Sequence, residues 1–142
     1  MVKSFRFLED VAIADIAFEA KGKTLEELFA NCGKALSEIM VDTKKIIPKK
    51  VFEFEKEGQN IESLLYDFLS ELVYLKDVDG LVFKEFKVNL EKKQKVRVLC
   101  KGNFLSSLPK NSFRNDVKAI TLHLFGIKKE GRIFLARVVV DI

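Results

Sequence analysis

The chain has 142 residues, 48% hydrophobic and 32% charged, with 25 lysines and arginines against 21 aspartates and glutamates and a formal net charge of +4. That length and mix describe one domain, residues 1–142, with room for a buried core, and they exclude a disordered chain. No apolar run reaches the roughly 18 residues of a membrane span, and Met1-Val-Lys-Ser-Phe-Arg-Phe7 lacks the apolar stretch of a signal peptide, so a cytoplasmic location is expected.

Residues 3–8 alternate and read as a short first strand. A loop leads to a second strand, Asp15-Ile-Ala-Phe-Glu-Ala20, closed by the turn Lys21-Gly22-Lys23. An aspartate opening a strand runs against β propensity, so Asp15 is either a loop acid or is kept for a purpose. Thr24 three residues ahead of Glu27 is a capping-box pattern. Beyond it Leu25, Leu28, Phe29, Cys32, Leu36, Ile39 and Met40 recur at helical spacing, which predicts an amphipathic helix to about Met40. Gly33 inside that helix costs about 1 kcal/mol against alanine and implies a close packing contact.

Lys50-Val-Phe-Glu-Phe-Glu-Lys56 alternates apolar and charged, as a strand buried on one face does. Asn60 is a good N-cap for a second helix whose stripe is Ile61, Leu64, Leu65, Phe68, Leu72, Val73 and Leu75. Asp67 and Glu71 lie off the stripe, four residues apart on one face. They form a solvated acidic face or, functionally, a docking ridge for a basic partner. Asp77-Val-Asp-Gly80 ends the helix. Strands follow over 81–90 and 95–101, then an irregular stretch from Gly102 to Asn115. A strand over 117–127 places Ala119, Thr121, His123 and Phe125 on one side, and a hairpin at Lys128-Lys-Glu-Gly131 leads into the β-branched final strand.

The element order is therefore β-β-α-β-α-β-β-β-β. It implies an α+β two-layer sandwich with two helices packed on a largely antiparallel sheet. A strand–helix–strand unit occurs twice, over Asp15–Lys56 and Lys50–Leu90, which suggests two nested modules.

Cys32 and Cys100 lie far apart among apolar neighbours and are expected reduced and buried rather than bridged. A single histidine, His123, excludes a multi-histidine metal site, and its apolar surroundings suggest a hydrogen-bonded core position rather than a base. No Gly-rich phosphate loop, nucleophile elbow, CxxC or HExxH occurs. The paired lysines at 44–45, 49–50, 92–93 and 128–129 are spread along the chain and read as solvated faces and edge-strand protection. RNA contact is expected to be weak or indirect. One constellation has chemical content: Asp15, Asp141 and the α-carboxylate of Ile142 come together if the second and last strands are neighbours. Oxygen donors alone suit Ca²⁺ or Mg²⁺ rather than Zn²⁺ or Cu²⁺.

Several stretches together resemble the archease family: Asp15-Ile-Ala-Phe-Glu-Ala-Lys-Gly22 running into Thr24-Leu-Glu-Glu-Leu-Phe29; Ile39-Met-Val-Asp-Thr43; Leu64 to Leu75 with Gly80-Leu-Val-Phe83; Val117-Lys-Ala-Ile-Thr121 with His123; and Ala136-Arg-Val-Val-Val-Asp-Ile142. The resemblance spans nearly the whole chain and implies nested strand–helix–strand–strand modules. It further implies a small non-enzymatic protein cofactor of an RtcB-type tRNA-splicing RNA ligase, one that promotes guanylylation of the ligase and its multiple turnover. It implies a divalent cation, typically Ca²⁺, with Mg²⁺ as the other candidate, held by Asp15, Asp141 and the carboxylate of Ile142. The chain departs from the family where His-Thr-Ala-Asp is usual: here Asp10-Val-Ala-Ile-Ala-Asp15 has no histidine, and Asp10 becomes a candidate auxiliary acid. A monomer or weak dimer with no membrane contact is expected. Two other classes stay open: a stand-alone metal-dependent hydrolase using Asp10, Asp15, Asp141 and His123, and a chaperone-like protein-binding module.

Overall fold

A computed structural model describes residues 4–8 and 15–142. Among these residues the elements follow the expected order: β1 Phe5–Leu8, β2 Asp15–Gly22, α1 Leu25–Met40, β3 Lys50–Glu57, α2 Ile61–Asp79, β4 Leu81–Glu91, β5 Lys95–Phe104, β6 Ala119–Glu130 and β7 Ile133–Asp141. The fold is α+β, with two helices on antiparallel strands. The strands divide into two sheets rather than one, in the orders β1-β2-β7-β6 and β3-β5-β4.

The division follows from nesting. The inner module, β3-α2-β4-β5, is contiguous in sequence. The outer module, β2-α1 with β6-β7, is interrupted by the inner one. In each, the first strand pairs antiparallel with the last, so the last strand is central: β2 with β7, β3 with β5. The helices cross-pack. α1 rests on β4 of the inner sheet as well as on β2, and α2 rests on β6 as well as on β4.

Local chemistry places the elements. The Thr24 hydroxyl accepts from the Glu27 N–H at 3.1 Å, and the Glu27 carboxylate accepts from the Lys23 N–H at 3.4 Å. The expected box is therefore half formed, its acid reaching one residue further back. Asn60 and Ser63 complete a reciprocal box at α2. A glycine precedes each cap by two residues, Gly22 and Gly58. A Cβ on Gly22 would stand 2.4 Å from the Leu28 nitrogen, so only glycine lets the helix start so close to its strand.

The core runs between the helices and the inner sheet faces. Phe68 sits at its centre, stacked against Phe29 at 5.7 Å and Phe54 at 6.1 Å, with the Phe86 ring edge-on at 6.0 Å. A Cβ on Gly33 would lie 3.0 Å from the Phe86 ring, which is the close contact the mid-helix glycine implied. Cys32 and Cys100 are free and buried. Burial raises both thiols, that of Cys100 to about 12. No helix among the described residues is long and apolar enough to cross a membrane.

Two stretches depart from the sequence reading. β5 continues through Gly102–Phe104, and the remainder of the expected irregular segment holds short 3₁₀ turns at Leu105–Ser107 and Lys110–Ser112. Residues beyond them close the end of α1. The Arg114 N–H donates to Met40 O, the Asn115 amide to Ile39 O and the Arg114 guanidinium to Glu38 O, each at 3.0 Å. β6 loses its alternation. Its pairing jumps from Thr121↔Val139 to Gly126↔Arg137, so residues 122–125 leave the ladder. Leu122 and Leu124 are 71% and 58% exposed, and Leu124 takes φ +55°.

Replacing Phe68 removes the ring that three other aromatics pack against. Phe68→Ala is expected to cost about 3–5 kcal/mol, measured as a lowered urea midpoint with an unchanged slope.

Candidate metal site

β2 enters its sheet at Asp15, and the first rung of its ladder pairs Asp15 with Asp141 of β7. The two strands are neighbours, as the oxygen-only constellation required. Both aspartates and Ile142 are half-buried. The pair lies on the face turned away from the helices, beside Ala17 and Val139, which are 1% and 0% exposed. Asp141 is also held from the other side: β6 places Ala119 opposite it, and the Lys118 N–H donates to Asp141 O at 2.8 Å. The Ile142 side chain packs against the core, which fixes the main chain beside the acid pair.

Like charges directly opposite on neighbouring strands repel. Elsewhere on the same face the sheet compensates such a charge: Glu19 is bracketed by Arg6 at 3.2 Å and Arg137 at 3.6 Å. Among the described residues no lysine or arginine forms an ion pair with Asp15 or Asp141. An uncompensated, half-buried pair of oxygen donors fits a hard divalent cation. Two side chains do not complete a coordination shell, and among the described residues no group of three or more His, Cys, Asp or Glu gathers into a ligand set. Asp10 lies outside the described residues.

The other candidates are placed apart. His123 is exposed within the β6 irregularity, not in the core. The expected alternation fails there because four residues stand out of the ladder between its rungs. Glu71 is bound to Lys56 of β3 at 2.8 Å and its side chain is only 17% exposed. Asp67 is half-buried on the same helix.

Sequence reasoning missed Lys76. It falls four residues after Leu72, on the apolar stripe of α2, and a lysine on such a stripe is the signal that marks it. Its ammonium is buried and fully used, 2.5 Å from Asp116, 2.7 Å from Asp77 and 2.6 Å from Val117 O. The Val117–Lys118 peptide group thus accepts from Lys76 on one side and donates to Asp141 on the other. Burial acts to lower the Lys76 pKa; the hydrogen bonds to Asp116 and Asp77 outweigh it, and the pKa stands above the ordinary lysine value. The hydrogen bond from Lys76 in turn holds the Asp116 carboxyl below the ordinary carboxylate range.

Two nested strand–helix–strand–strand modules, with an acid pair where the outer module's first and last strands meet, define a class of small α+β proteins. Residues 5–142 match the archease protein family (MTH1598/TM1083). Archease from Pyrococcus furiosus is 41% identical over 133 residues, covering 91% of this chain and 93% of that protein. Archease from Methanosarcina barkeri is 40% identical over 146 residues, covering 99% and 97%. The solution structure of Methanobacterium thermoautotrophicum protein 1598 superposes with a TM-score of 0.82 at 33% identity, covering 99% of this chain and all of that one. The Thermotoga maritima archease, described as a possible chaperone, shares the fold with a TM-score of 0.62 at 19% identity. The chain belongs to the archease family.

Lys76→Met keeps the stem and removes the ammonium, leaving Val117 O without its partner. A loss of about 1–3 kcal/mol at neutral pH is expected. The Asp116 share, from a lowered pKa, is in place above about pH 4 and lost as pH falls through the folded value. The Lys76 share, from a raised pKa, is in place below about pH 10 and lost as pH rises through the folded value. Denaturation at several pH values checks this: the gap between wild type and variant should be flat across neutrality and shrink at both extremes.

Proposed function

We propose that this archease acts as a protein cofactor of an RtcB-type tRNA-splicing RNA ligase, promoting the ligase's guanylylation and multiple turnover. We further propose that it holds a divalent cation, Ca²⁺ before Mg²⁺, between Asp15, Asp141 and the α-carboxylate of Ile142. The observation that carries the cation site is the first rung of β2–β7, where two aspartates face each other and, among the described residues, neither is ion-paired with a lysine or arginine. Family membership supports the ligase partner.

When bound, the cation would cancel the repulsion of the acid pair. The chain's own residues do the rest. Lys118 holds the Asp141 carbonyl, Ile142 packs against the core, and β7 lies between β2 and β6, so the donors are presented at the end of two central strands. Asp10 is an auxiliary donor in this reading. Asp67, half-buried on α2, is the candidate for contact with the ligase, and Glu71 contributes only when released from Lys56. The protein works in the cytoplasm as a monomer or weak dimer.

A specific observation favours a second reading. Leu122 and Leu124 stand exposed on the broken edge strand β6, a surface suited to a chaperone-like module that covers apolar segments of its clients. Suppressed aggregation of several unrelated unfolded proteins would favour it.

Two measurements test the first reading. In multiple-turnover ligation by the cognate ligase with GTP, substoichiometric wild-type protein should raise the rate at least tenfold. Asp15→Asn and Asp141→Asn should not, while keeping wild-type circular dichroism. Calcium at a hundredfold excess over its dissociation constant should stabilise the wild type by about 2.7 kcal/mol and leave Asp15→Asn unmoved. Full activation by both variants refutes the cation's role.

A further inference from the structure

The folded chain gathers lysines that the sequence spreads out. The connector between α1 and β3 runs across one end of the three-stranded sheet. The Lys84 ammonium reaches Ile46 O at 3.3 Å, and the Asn103 amide reaches Ile47 O at 3.0 Å. This brings Lys44, Lys45, Lys49 and Lys50 to the sheet end where β5 carries Phe104 on the face of Lys50, and Lys101 on the other face, opposite Glu85 of β4. Lys50 is the rung partner of Gly102, and Lys101 that of Val51.

All five lysines are exposed. Among the described residues none of them has a carboxylate within 4.0 Å, although the lysine and arginine at the opposite end of β5, Lys95 and Arg97, are both paired with Glu55. Beside them an aromatic ring is accessible. Phe104 is 40% exposed, with the Lys50 ammonium 5.6 Å from its ring centre. Ile47, in the connector that leads to Lys50, is 62% exposed.

We propose that this sheet end binds single-stranded RNA, the lysines meeting phosphates and Phe104 stacking with a base. Unpaired cations beside an accessible ring are the combination that single strands use: charge follows the backbone, and a ring accepts any base. An acidic protein segment would use the lysines and leave the ring idle. The choice of RNA over DNA rests on the proposed ligase role; the charge and the ring do not.

The test is fluorescence anisotropy of a labelled twelve-residue uridine strand with the full chain alone. The absence of ligase separates this result from the activation assay. Wild type should bind at low salt, with log affinity falling against log salt at a slope of roughly −3 for four phosphate contacts. Lys49→Glu with Lys50→Glu should weaken binding at least tenfold. Phe104→Ala should weaken it about tenfold while leaving the salt slope unchanged. Lys92→Glu with Lys93→Glu, at the far end of the same sheet, should bind as wild type does. The proposal is overturned by no binding at 20 mM salt, or by equal loss in the two charge-reversal pairs. It is also overturned if Phe104→Ala is silent while polyglutamate competes as well as RNA, which assigns the surface to acidic protein, or if a thymidine DNA strand binds more tightly than the uridine strand.

Discussion

The pairing of β2 with β7 is the constraint on which the remainder depends. It joins residues at opposite ends of the chain, so everything between is a closed loop, and the entropy of that closure is borne by one eight-rung ladder and the apolar side chains behind it. Phe18, Ala20, Val138 and Val140 on its inner face are fully buried against the helices. Without this ladder the inner module would still have its own sheet, but α1 would lose β2 and α2 would lose the hairpin that covers it. The same ladder fixes the relation of Asp15 to Asp141. The candidate site is therefore a consequence of fold closure, and its two acids cannot be separated without opening the outer sheet.

Much of this was legible because each element carries its own signal. The apolar stripes of α1 and α2, the cap residues Thr24 and Asn60, and the alternation of β3 all act over a few residues, within the reach of local pattern. Asp15 was legible for a different reason: it violates strand propensity, and a local violation is where function is expected. What stayed hidden depends on contacts distant in sequence. The split into two sheets is decided by which hairpin each first strand meets. The break in β6 is invisible to alternation because residues 117–127 alternate in sequence while their pairing does not. His123 stands exposed rather than in the core for that reason. Lys76 was visible as a lysine on an apolar stripe, but its partners Asp116 and Val117 lie some forty residues away.

Charge on the outer face of the three-stranded sheet follows a simple plan. β5 is central and carries Lys101, Arg97 and Lys95, while β3 beside it carries Glu53, Glu55 and Glu57. Rungs near the hairpin match these charges: Glu55 faces Arg97 and Glu57 faces Lys95. The hydrogen bond from Lys95 leads the effects that lower the Glu55 pKa. Such exposed pairs contribute little stability individually, but they keep the sheet face electrically quiet. At the other end β3 starts with Lys50 and Val51, and the acid opposite Lys101 comes from the other neighbour, Glu85 of β4.

The two modules share strand order, the spacing from glycine to helix cap, and an eight-rung ladder between first and last strands. A duplicated architecture invites comparison of corresponding positions. The first rung of the outer ladder is Asp15 with Asp141; the first rung of the inner ladder is Lys50 with Gly102. The backbone is the same kind of junction in both, a strand entering its sheet opposite the end of the central strand. The charge is opposite. Two acids face each other at one junction, and at the other Lys50, next to exposed Lys49, lies over the Phe104 ring. Self-repulsion within a fold opposes stability, and the Glu19 and Glu55 pairings show that neighbouring positions on both sheets escape it by local compensation. Among the described residues Asp15, Asp141 and Lys50 form no ion pair, so the two equivalent junctions carry opposite charge that the fold does not match locally.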